Sequence, residues 1–104
     1  MQIEPNKEAE FSGVFVAHWE AAGIEVDVGR RLFGLMPHRE YWHPDFPSDF
    51  DAPLGDIARR FHIRFIGTPS ERGQFGHLGM CCRNVGIRQV IEFSEIERDE
   101  KTVA

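Results

Sequence analysis

The chain has 104 residues, a 41% hydrophobic share, nine Phe, two Trp and a formal charge of −5. Such numbers describe one globular domain, 1–104, with a single aromatic-rich core, and they exclude a disordered chain. No apolar run approaches the ~18–20 residues of a membrane-spanning helix.

Residues 1–9 and 95–104 read as flexible tails. Residues 11–19 form the first predicted strand, with Phe11, Phe15 and Trp19 on one face and Val14 and Val16 on the other. A turn at Ala21-Ala22-Gly23 leads to a second strand, 24–28, which alternates cleanly. The third predicted strand, 31–36, bends at Gly34, and Tyr41-Trp42 is a candidate extension of it. Residues 37–53 hold four prolines among Tyr41, Trp42, Phe46 and Phe50, which predicts an irregular segment packed on the body. The aromatics of that segment either close an open end of the core or face a partner.

A short helix is predicted next. Asp51 is its cap candidate, Pro53 suits its first turn, and Leu54, Ile57, Ala58 and Phe61 recur at helical spacing. Residues 61–66 alternate as a fourth strand with Phe61, Ile63 and Phe65 inward. After a glycine-rich loop, residues 78–83 and 87–93 read as a fifth strand, long or broken at Asn84-Val85-Gly86. The order predicts a mainly β fold, a small five- to six-stranded OB-like barrel with one short helix between strands 3 and 4. An SH3-like barrel and a β-sandwich are the alternatives.

The loop Gly73-Gln74-Phe75-Gly76-His77-Leu78-Gly79 is the most demanding segment for the backbone. Its glycines are three apart and do not match a phosphate-cradling spacing. The stretch from Phe65-Ile66-Gly67-Thr68-Pro69-Ser70 through this loop resembles a group of small bacterial proteins of unknown function. The opening strand, 11–19, is similar in a less specific way. The resemblance covers roughly a third of the chain and implies an OB-type barrel without implying an activity.

In an OB barrel this loop and the turn near Ala21-Ala22-Gly23 flank the ligand face. Phe75 and His77 are therefore the candidate ligand-binding residues, with Gly73, Gly76 and Gly79 as the structural loop. The competing reading is a rigid corner in which Phe75 caps the core and His77 bonds backbone carbonyls.

Charge adds a second set of candidates. Residues 11–58 hold eight acids and three arginines, whereas residues 59–91 hold six arginines and one glutamate. Arg64, Arg72 and Arg83, near aromatic residues, are candidates for a basic face that meets single-stranded nucleic acid. The alternative is that the two halves interleave and cancel.

Catalytic and metal motifs are missing from the sequence, with no G-x-S-x-G, Walker A, C-x-x-C or H-E-x-x-H. No cofactor is implied. The only cysteines, Cys81 and Cys82, are adjacent and predict no disulfide. With a polar, acidic start, they predict a cytoplasmic location. The leading expectation is a non-catalytic binding module acting through protein contact or self-association. A single-strand-binding protein comes second and a small enzyme or metal-binding protein third.

Overall fold

Five strands form in chain order: β1 (Ala9–Ala17), β2 (Gly23–Arg31), β3 (Met36–Asp45), β4 (Arg59–Pro69) and β5 (Arg83–Glu95). In the computed structural model, which describes residues 3–31 and 36–96, they close into one barrel ordered β1-β2-β3-β5-β4. β4 pairs back onto β1 from Ala9↔Gly67 to Ala17↔Arg59. Every pairing is antiparallel except β3 with β5, which is parallel. The fold is thus a small OB-like barrel with five strands.

Alternation in the sequence explains which side chains fill it. On β4, Phe61, Ile63 and Phe65 are buried while His62 is exposed. β1 contributes Phe11, Phe15 and Ala17, β2 contributes Ile24, Val26 and Val28, and β5 contributes Val85 and Ile87. Trp42 of β3 is fully buried at the centre, edge-on to Phe11 with centroids 4.9 Å apart.

The predicted third strand is shifted. β3 runs from Met36 to Asp45, through two prolines that the sequence reading placed in an irregular segment. β3 pairs with β2 only from Met36 to Trp42, and with β5 only from Trp42 to Asp45. Each proline therefore lies where β3 has a partner on one side, the position a sheet tolerates. The bend placed at Gly34 lies outside the described residues, as do residues 97–104 of the predicted tail.

The predicted helix does not form. Residues 46–58 join β3 to β4 without a helical turn, and Leu54, Ile57 and Ala58 are exposed. Aromatic side chains occupy the barrel end instead. Phe50 stacks on Phe46 at 4.9 Å and meets Phe93 edge-on at 5.0 Å, while Phe93 stacks on Phe61 at 4.5 Å. Phe46 is also edge-on to Phe15 at 5.2 Å. With Phe61 inside β4 and Phe46, Phe50 and Phe93 packed on one another, the amphipathic spacing of residues 54–61 does not find a core face to lie on.

Two other boundaries move. β1 stops at Ala17, so Trp19 leaves the inward face and is more than half exposed. The strand expected from residue 78 starts only at Arg83, after a 3-10 turn at His77–Gly79, and then continues unbroken through Asn84-Val85-Gly86. Ahead of β1, Ile3 packs against the core and Asn6 N donates to Pro69 O at 2.7 Å.

Candidate binding site at the loop end of the barrel

The glycine loop is a small hairpin of its own. Phe75 N donates to Cys81 O at 2.9 Å and Cys81 N to Phe75 O at 3.0 Å, closing the tip. Gly73 N donates to Cys82 O, and Cys82 N donates to Tyr41 O of β3 at 2.9 Å, which docks the hairpin on the barrel. Phe75 is half-buried, with its ring over Gly73. Gly76 sits at φ 73°, and a Cβ there would lie 3.1 Å from His43 Cδ2 and 3.2 Å from Cys81 Sγ. Gly79 sits at φ 68°. Both positions need a left-handed backbone that other residues adopt at a cost.

Leu78, between them, also has a positive φ of 56° and is 85% exposed. A large apolar side chain held in that region and pointed at water is an outlier of the kind that clusters at ligand contacts.

The base of the hairpin is fixed by a buried charge cluster. Glu40 points inward from β3 and is nearly buried. Its Oε1 accepts from Trp42 Nε1 at 2.9 Å and from Arg83 Nε at 2.7 Å, and its Oε2 accepts from Arg72 Nη1 at 2.8 Å. Arg83 Nη1 also donates to Ser70 O at 2.9 Å. Burial alone would raise the Glu40 carboxyl; the hydrogen bonds from Arg83 and Trp42, with the charges of Arg83 and Arg72, outweigh it and hold the carboxyl below its ordinary value.

A cavity of about 300 Å³ opens between three loops. Residues 18–22 contribute Trp19, Glu20 and Ala22, residues 46–58 contribute Phe46, Ala52 and Leu54, and the hairpin contributes Gly76 and His77. His43, Pro44 and Phe15 form the floor. The two loops expected to flank a ligand face therefore share one cavity. His18 ties its rim together: Nε2 donates to Asp56 O at 3.1 Å, Nδ1 accepts from Glu20 N at 3.2 Å, and the ring stacks on Trp19 at 6.1 Å. His43 Nδ1 donates to Asn84 Oδ1 at 2.9 Å, which fixes the ring in the cavity wall.

Among the described residues, the exposed large apolar side chains gather in the same loops. Trp19, Leu54, Ile57, Leu78 and Met80 are each more than half exposed, and all five belong to the three loops around the cavity. Sequence reasoning missed this set. The signal was present in Leu54 and Ile57, which read as the inner face of a helix, and in Leu78 and Met80, which read as strand.

Of the sequence-predicted site residues, His77 lines the cavity and Phe75 supports the hairpin beside it. Arg64, Arg72 and Arg83 are not brought together on an open face. Arg83 is buried against Glu40, Arg72 bonds the same carboxylate, and Arg64 is held outside the barrel by Glu10 and Glu92. Arg59, Arg60 and Arg88 pair with Glu95, Glu25 and Glu8. Cys81 is buried and Cys82 half-buried, both as free thiols, and burial pushes both thiols up. Among the described residues no group of three His, Cys, Asp or Glu is placed to hold a metal ion, and no helix is long and apolar enough to cross a membrane.

The fold and this end together define a small OB-like barrel with a loop-walled cavity and an exposed apolar rim. Comparison with protein-family models, with curated proteins and with solved structures finds no match to this chain.

Proposed function

We propose that this barrel is a non-catalytic binding module that meets a protein through its loop end. The observation that carries the reading is the exposure of Trp19, Leu54, Ile57, Leu78 and Met80 in the three loops that wall one cavity, which Trp19 and Leu54 line. Several large apolar side chains exposed in neighbouring loops of a small domain suit a contact site, and tryptophan is enriched at interface hot spots. Hydrogen bonds between the loops hold the surface ready: Trp19 N donates to Gly55 O at 3.2 Å and the hairpin is docked on Tyr41. Such preorganisation lowers the ordering cost of binding. The cytoplasmic location expected from the free cysteines is compatible with this role.

Single-stranded nucleic acid is the weaker reading. Each of the six arginines in residues 59–91 already holds a carboxylate, so the basic half offers phosphate no open cationic track.

The test is site-specific photo-cross-linking in cells, with the reactive side chain at position 78 and, as control, at Gln89 on β5. A discrete adduct at position 78 that disappears with Trp19→Ala, and none at position 89, is the expected result. Equal labelling at both positions, or none at either, overturns the reading. The mass of the protein in solution then decides between a different protein and a second copy of this chain.

A further inference from the structure

Among the described residues most acids along the strands are ion-paired, and most of the unpaired ones lie at the loop end; Asp27 on β2 and Glu71 are the other two. The glutamates that face the arginines of residues 59–91 are all ion-paired. Glu20, Asp45, Asp49, Asp51 and Asp56 have no ion-pair partner among the described residues. All five lie in residues 18–22, at the end of β3, or in residues 46–58. Neither 11–29 nor 40–58 contains a lysine or arginine. The field at the cavity mouth is therefore negative, set by the two segments that build most of its wall.

The cavity sets aromatic and apolar walls, Phe15, Phe46, Trp19 and Leu54, beside the polar groups of Glu20, His43 and His77. At about 300 Å³ it stands at the lower limit of sites for free small molecules, and it suits one long side chain better than a cofactor. Aromatic faces next to carboxylates attract ammonium and guanidinium groups, and the long apolar stems of Lys and Arg pack well on such walls. His43 lines the same cavity, with its Nδ1 bonded to Asn84 Oδ1.

We infer that the cavity receives a lysine or arginine side chain from a basic, partly apolar segment of a partner protein, a refinement that rests on the protein-contact reading above. Trp19 and Glu20 meet the cationic head, while Leu54, Leu78 and Met80 cover apolar residues beside it. A second copy of this chain is the less favoured occupant, since it carries a formal charge of −5 and its arginines in residues 59–91 are already held by carboxylates. A polyanion is repelled by the same five acids.

The probes are short peptides with identical apolar residues that differ only in carrying arginine, glutamate or serine at the remaining positions. Trp19 is the fluorescent reporter, and the buried Trp42 is the internal reference. The arginine peptide is expected to bind with Kd below about 1 mM and at least tenfold more tightly than the glutamate peptide. Trp19→Leu keeps an apolar rim but loses the ring face, and should weaken the arginine peptide about fivefold, read by NMR shifts of backbone amides. Glu20→Gln with Asp51→Asn, both exposed positions, should remove most of the preference over serine and most of the salt dependence.

Equal binding of all three peptides overturns the charge selection and leaves the protein-contact reading standing. An arginine peptide that fails to bind at about 1 mM, while position 78 still cross-links in cells, has the same meaning. Failure of both experiments overturns both readings.

Discussion

Arg83 Nε donates to Glu40 Oε1 at 2.7 Å inside the barrel, in a site that also receives the Trp42 indole N–H. The pair links β3 to β5 next to their first parallel contact, Trp42↔Arg83. Through Arg72 and Ser70 the same cluster holds the first residues of the hairpin loop. A buried ion pair is stable when every donor and acceptor is satisfied, and the described residues contain no buried side-chain N or O without a partner.

Glu40→Gln is expected to destabilise the protein by about 3 kcal/mol, because it leaves Arg83 buried without a counter-charge. That lowers the melting temperature by more than about 10 °C in a domain of this size. A loss below about 1 kcal/mol in urea unfolding would show that the cluster contributes little.

Acid should weaken the same cluster. The Glu40 carboxyl is depressed in the folded state, so its contribution is complete above the ordinary carboxylate value and is lost as pH falls through the folded-state value. Between about pH 5 and pH 3 the wild type should lose stability more steeply than Glu40→Gln. Parallel curves over that range would remove Glu40 from the acid response.

Leu78 offers a test in the opposite direction. At φ 56° a glycine relieves backbone strain, and the side chain removed is 85% exposed. Leu78→Gly should therefore leave stability unchanged or raise it by about 0.5–1 kcal/mol, while weakening the partner contact. A loss above about 1 kcal/mol would mean that the leucine packs on the barrel.

Gly76→Ala should do the reverse. The methyl group meets His43 Cδ2 and Cys81 Sγ at just over 3 Å, and φ 73° disfavours it further. A loss of about 1–2 kcal/mol is expected, with NMR shifts centred on His43 and Cys81. No shift at His43 would displace that ring from the base of the hairpin.

The thiols should be slow to react. Both are pushed above their ordinary value by burial, so at neutral pH a disulfide reagent should label the native protein far more slowly than the urea-unfolded chain. Rapid native labelling of Cys81 would show that the hairpin opens.

Much of the barrel was legible from alternation. Phe61, Ile63 and Phe65 fall inward by parity alone, and Phe11 and Phe15 follow the same rule. The segment 37–53 was misread because proline is judged by local geometry, while its tolerance depends on which strand edge is free. The helix over residues 51–61 was misread for a related reason. Its spacing was amphipathic, but Phe61 lies inside β4 and Phe46, Phe50 and Phe93 pack on one another, so its apolar face finds no core face to lie on.

Sequence by itself therefore determined the class of fold, the inward positions of most core residues and the glycine loop, since period-two burial and positive φ are local requirements. Only the tertiary structure decided the charge map and the site. Each arginine of residues 59–91 found its carboxylate across a strand pairing or a loop contact, and those pairings depend on register and closure. Among the described residues, most of the acids that closure left unpaired lie in the loops at one end, with the exposed apolar side chains of the same loops.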